Sequence, residues 1–138
     1  MPGFIATLLE SRWFLLVARL LLTFVFWTGG LAGIFDFSGR VAEMRHAGLA
    51  PAELYVVAVT IVELGGTALI VTNRWSWLGA GALGVFLALT IPVGHPFWAM
   101  EEPQRTASFF VFLEHVSVIG GLMLAASLGH LTAARKAA

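Results

Sequence analysis

Apolar residues in this chain run on in long blocks rather than recurring at the period of a surface helix. Trp13 to Phe35, Ala52 to Thr72, Trp77 to Gly94 and Ala107 to Leu128 are almost wholly apolar, and short polar segments separate them. About 20 such residues in a helix cross the roughly 30 Å hydrocarbon layer of a bilayer. Backbone groups in hydrocarbon must be satisfied within their own segment, so each block predicts a helix. The expected architecture is an all-α membrane protein, a single antiparallel bundle of four transmembrane helices over residues 1–138.

The connections carry patterns of their own. Between Asp36 and Pro51, Phe37, Val41 and Met44 recur at helical spacing, with Arg40, Glu43 and Arg45 set against them, which predicts a short interfacial helix over residues 38–47. Ser38 is placed to cap its start, Gly48 to end it and Pro51 to open the second span. Asn73-Arg74 reads as a tight hairpin between spans two and three. The segment from His95 to Arg105 is longer, aromatic and acidic. Pro92 and Pro96 bracket the end of span three and are expected to distort or stop that helix.

Composition agrees with a lipid environment: 59% of residues are hydrophobic, 12% are charged and the mean hydropathy is +0.88. Soluble domains carry about 25% charged residues. A formal net charge of zero gives no electrostatic ground for binding nucleic acid. The chain has no cysteine, so it supplies no dithiol relay, thiolate-ligated haem or cysteine-held cluster. Glu10 and Arg12 precede a run too long for a signal-peptide core, with no small-residue cleavage site, so the first span is expected to be retained. Arg12, Arg74, Arg135 and Lys136 fall on one side of the predicted bundle and Arg40, Arg45 and Arg105 on the other, a bias that places both termini in the cytoplasm. Trp13, Trp75 and Trp77 then lie at the inner interface and Trp98 at the outer one.

Ionisable residues within the spans carry the candidate chemistry. With about 1.5 Å of rise per residue, Arg19 lies about 9 Å from the inner end of its span, Glu63 about 14 Å and Glu114 about 21 Å. A charge left alone at mid-bilayer costs at least about 2.5–3.5 kcal/mol, so an Arg19–Glu63 pair facing the bundle interior is the expected arrangement; the alternative is that Arg19 snorkels to the interface. Glu114 and His115 are adjacent and therefore about 100° apart around their helix. His95 opens the outer loop and is placed to approach His115. With Trp98, Phe109 and Phe112 as apolar walls, His95, Glu114 and His115 form a candidate quinone, lipid-headgroup or proton-relay site in the outer leaflet. The competing reading is a polar network that fixes helix register. Histidine depths that do not match, and the lack of a helical histidine pair, disfavour a bis-histidine haem, and no metal-spaced cluster is present.

Several ordered segments carry a family resemblance: Arg19-Leu-Leu-Leu, Gly29-Gly-Leu-Ala-Gly-Ile-Phe-Asp-Phe-Ser-Gly, Ala47-Gly-Leu-Ala-Pro, Glu63-Leu-Gly-Gly, His95-Pro-Phe-Trp and Ile119-Gly-Gly-Leu. Together, over about residues 15–128, they resemble the DoxX family of small four-span membrane proteins. The resemblance implies an integral protein of the bacterial inner membrane, in a group that includes a small membrane subunit of thiosulfate:quinone oxidoreductase. Where relatives often carry Lys-Asn before the glycine pair of span four, this chain carries Glu114-His115.

Two functions are compatible with these features. One is an accessory or anchor subunit of a quinone-linked redox complex, partnered by other membrane subunits or by further copies of itself. The other is a stand-alone binder or carrier of a lipophilic molecule such as a quinone, or a plain membrane scaffold. Catalysis by the chain alone is the weakest reading, since it has no nucleotide loop and no nucleophile–base pair. No covalent cofactor is expected.

Overall fold

The computed structural model describes residues 2–137; the side chains of residues 135–137, and with them Arg135 and Lys136 of the charge count, lie outside the described set. Every regular element among the described residues is helical: α1 (Gly3–Glu10), α2 (Arg12–Leu22), α3 (Phe24–Phe35), α4 (Phe37–His46), α5 (Ala52–Val71), α6 (Ser76–Gly94), a 3-10 turn (Phe97–Ala99) and α7 (Gln104–Ala137). Among them, α5, α6 and α7 are each long and apolar enough to cross a membrane, and α2 with α3 would make a fourth span if the bent pair crosses as one.

The bend between α2 and α3 is 59° and centres on Thr23, where the sequence predicts one continuous span. No proline causes it. The carbonyl of Arg19 accepts both the Thr23 amide (3.0 Å) and the Thr23 Oγ1 hydroxyl (2.7 Å), a back-bond that tightens the turn. The indole Nε1 of Trp27 then donates to the carbonyl of Leu20 (3.2 Å), which satisfies a group near the break. α1 is a further departure: it has no buried residue and exposes Phe4, Leu8 and Leu9.

The packing of the long helices depends on missing side chains. A Cβ on Gly79 would lie 2.6 Å from the carbonyl oxygen of Gly66, so the α5–α6 hairpin closes on backbone against backbone. Gly30 of α3 similarly receives Leu64 of α5, and Gly121 of α7 receives Leu22 of α2. The buried cluster that joins these helices is small: Phe26, Ile70, Ala80, Leu83, Leu87 and Leu122. By contrast Leu124 is 74% exposed, Ile61 66% and Val85 62%, an apolar exterior that suits hydrocarbon rather than water.

α4 meets the predicted 38–47 helix to within a residue. Its cap is Asp36, whose Oδ1 accepts the Gly39 amide at 3.1 Å, rather than Ser38. Gly48 terminates it with a positive φ of 77°, a conformation glycine adopts without penalty. Val41 is buried against Ala52 and Val56 at the start of α5, so α4 is packed along the bundle on one face. α7 runs through residue 137, well beyond the predicted end at Leu128.

Candidate functional site

One end of the molecule gathers the start of α2, the α5–α6 turn and the C-terminal part of α7; Asn73 Nδ2 donates to Thr132 Oγ1 there at 3.2 Å. The other end gathers the α3–α4–α5 junction and the α6–α7 loop. Two polar constellations belong to that second half.

The first is Glu63. Its carboxylate is buried with 5% exposure, under Gly29 of α3, where a Cβ would stand 2.7 Å from Oε1. Its partner is Arg40 of α4, whose Nη2 is 3.8 Å from Oε2, while Arg40 Nη1 bonds Glu43 Oε2 at 2.8 Å. The expected Arg19–Glu63 pair does not form. Arg19 lines a groove with Val71, the last residue of α5, which is eight residues and therefore about 12 Å along the axis from Glu63. Arg19 therefore stands by the end of α5 rather than beside Glu63. Arg40 had a legible signal: it lies three residues after Phe37 and four before Met44, on the edge of the stripe that α4 turns toward α5. Glu63 Oε2 and, one turn on, Thr67 Oγ1 are buried without a hydrogen-bond partner.

The second constellation is at the α6–α7 end. His95, just beyond the last turn of α6, and His115, eleven residues into α7, meet edge to face with ring centroids 5.4 Å apart. The loop between them folds back onto α7. Phe97, in the 3-10 turn, has its ring 5.4 Å from both Phe109 and Phe112, and Trp98 lies against Phe97 at 5.2 Å with 60% exposure. Ser108 Oγ donates to Met100 Sδ at 3.1 Å and holds the rest of the loop to the same helix. Of the residues that sequence nominated, His95, His115, Phe109 and Phe112 therefore converge, and Trp98 stands at the rim. Glu114 does not join them: it is exposed, about 100° around α7 from His115. Phe97 is the member that the nominated set lacked, although His95-Pro-Phe-Trp contains it.

The two imidazoles are only partly buried and offer hydrogen-bond donors and acceptors beside an aromatic wall. Polar tips on an apolar wall suit a molecule with a small polar ring and an apolar tail. Among the described residues, no group of three or more His, Cys, Asp or Glu side chains is placed to hold a metal ion.

The fold and this arrangement define a small helical membrane protein with a polar–aromatic patch at one end of its bundle. Its family follows from the sequence comparison: the DoxX profile matches residues 14–96, more than half of the chain, and the chain belongs to the DoxX family. It is also similar to the inner membrane protein YphA of Escherichia coli (strain K12), with 27% identity over 116 residues covering 83% of this chain and 82% of that protein. No solved structure matches it. The match to the family profile takes in Glu63, Arg40 and His95 but stops before α7 and His115.

Proposed function

We propose that this protein is a small membrane subunit of an inner-membrane, quinone-linked redox complex, and that His95 and His115 receive the headgroup of a quinone. The bent α2–α3 pair crosses as one span, giving four crossings with both termini in the cytoplasm and α4 at the outer interface. The observation that carries the reading is the approach of His95 to His115 beside Phe97, Phe109 and Phe112. Ring nitrogens can hold or pass a proton at a carbonyl oxygen, and the phenyl wall can exclude water from one side of the ring. A bound quinone would supply two-electron, two-proton redox chemistry. The histidines would orient it and exchange protons, while the electron donor would be a partner subunit. Membership of the DoxX family and likeness to an inner membrane protein support the location.

The test is extraction of the wild type and a His115→Phe variant in mild detergent, with analysis of co-purifying quinone, partner subunits and quinone reduction in intact membranes. Quinone should accompany the wild type and fall severalfold in the variant at unchanged folding. If wild type and variant carry no quinone and electron transfer is equal in both, the patch is structural and the redox role fails.

A further inference from the structure

The opposite end of the molecule carries a second feature. Arg12 and Arg19 are seven residues apart on α2, which is 20° short of two turns, so both side chains leave the same side with about 10.5 Å of rise between them. With Trp13, Leu16 and Val71 they line a groove of about 370 Å³ between α2 and the end of α5. Neither arginine forms an ion pair with a carboxylate among the described residues. Arg12 lies over the ring of Trp13, with Cζ 5.4 Å from its centroid.

The level of the groove identifies what it faces. Trp13, Trp75 and Trp77 are 64%, 70% and 63% exposed, and all three belong to this end, where their indoles mark the boundary between hydrocarbon and headgroups. Arg12 adjoins Trp13 at that boundary, and Arg19, about 10.5 Å further along α2 toward the middle of the bundle, lines the groove with Val71, the last residue of α5. From Arg19 toward the middle of the bundle, Leu20, on the side of α2 that carries Leu16 and Trp13, presents exposed apolar surface. Two unpaired cations in a headgroup-level groove that continues into an apolar strip match an anion attached to an acyl chain. We propose that this groove binds the phosphate of an anionic phospholipid between Arg12 and Arg19, with its acyl chains along α2. Two guanidinium forks suit phosphate oxygens, and basic grooves between helices in a headgroup layer favour anionic lipids. The volume admits a phosphate with its glycerol.

The experiment measures the thermal midpoint of the full chain in neutral detergent during titration with phosphatidylglycerol, phosphatidylcholine or inorganic phosphate, with native mass spectrometry of retained lipid. Phosphatidylglycerol should raise the midpoint and stay bound; the other two should do neither. Arg12→Gln, a change at the exposed start of α2, should weaken binding about fivefold. Arg19→Gln should do the same, the double variant should abolish the effect, and Arg19→Lys should keep most of it. Arg105→Gln, at the other end, and His115→Phe should bind as the wild type. Equal stabilisation by phosphatidylcholine, an equal response to inorganic phosphate, or undiminished lipid retention by the double variant would each overturn the proposal.

Discussion

Arg40 reaches back from α4 to within 3.8 Å of the carboxylate of Glu63, a residue buried in the middle third of α5. The contact ties a short helix in a connection to the interior of a long apolar one. Val41 packs beside it on Ala52 and Val56, and Arg45 pairs with Glu53 further along, so charge and apolar contact together fix how α4 lies on α5.

The pair makes a definite prediction about coupling. Arg40→Leu leaves the Glu63 carboxylate buried without a cation and should destabilise the protein by about 2–3 kcal/mol, below the usual cost of stranding a buried charge because Arg40 is partly exposed. The double change Arg40→Leu/Glu63→Leu should cost less than the sum of the single changes. Arg19→Gln combined with Glu63→Leu should be additive. Unfolding in detergent, followed by circular dichroism, gives all three comparisons. A non-additive Arg19–Glu63 cycle with an additive Arg40–Glu63 cycle would reverse the assignment.

The Arg40–Glu63 contact bears on what a sequence can disclose. The existence of the long helices was legible because uninterrupted apolar length answers a simple requirement of the bilayer. The meeting of His95 and His115 was legible in outline because a proline-rich helix end leads directly into a loop that returns to the same neighbour. The partner of Glu63 was not, because depth counted along the spans leaves out the connecting helix α4, which brings Arg40 to the carboxylate, while Arg19 lies by Val71 at the end of α5. The bend at Thr23 escaped for a different reason. A threonine in an apolar run has no preference strong enough to mark a break, and the break is completed by the Trp27 indole seven residues beyond Leu20.

Removing that support should reach the bend. Trp27→Phe keeps the aromatic bulk but withdraws the Nε1 donor from the Leu20 carbonyl, at a cost of about 0.5–1.5 kcal/mol. Thr23→Val, at a fully buried position, withdraws the Oγ1 hydroxyl from the Arg19 carbonyl and should relax the bend, visible as a longer spin-label distance between the ends of α2 and α3. An unchanged distance in both variants would mean that packing, and not these two hydrogen bonds, sets the angle.

Glycines of one sequence type should divide sharply by position. Gly79→Ala places a methyl carbon against the Gly66 carbonyl oxygen, at 2.6 Å before relaxation, and should cost about 1–3 kcal/mol as the helices part. Gly81→Ala and Gly120→Ala meet nothing within 4 Å and should be neutral or stabilising by about 0.5–1 kcal/mol through helix propensity. Thermal midpoints of the three variants in one detergent suffice. Equal losses at all three would show that the α5–α6 contact is not specific to the Gly66–Gly79 crossing.

The absence of cysteine allows a direct test of the histidine approach, since any engineered thiol pair reports without background. With His95 and His115 both replaced by cysteine, a short bifunctional thiol reagent should link the two within one chain. The pairing of position 95 with position 114 is the matched control: Glu114 is next in sequence but turned about 100° away and exposed, so its thiol should label freely and link poorly. Gel mobility after proteolysis between α6 and α7 distinguishes linked from unlinked chains. Phe97→Ala should lower the 95–115 yield, because Phe97 packs on Phe109 and Phe112 and holds the returning loop to α7. If the 95–114 pair links as fast as the 95–115 pair, the two imidazoles do not share a fixed site, and a ligand held between them would have no built frame to bind.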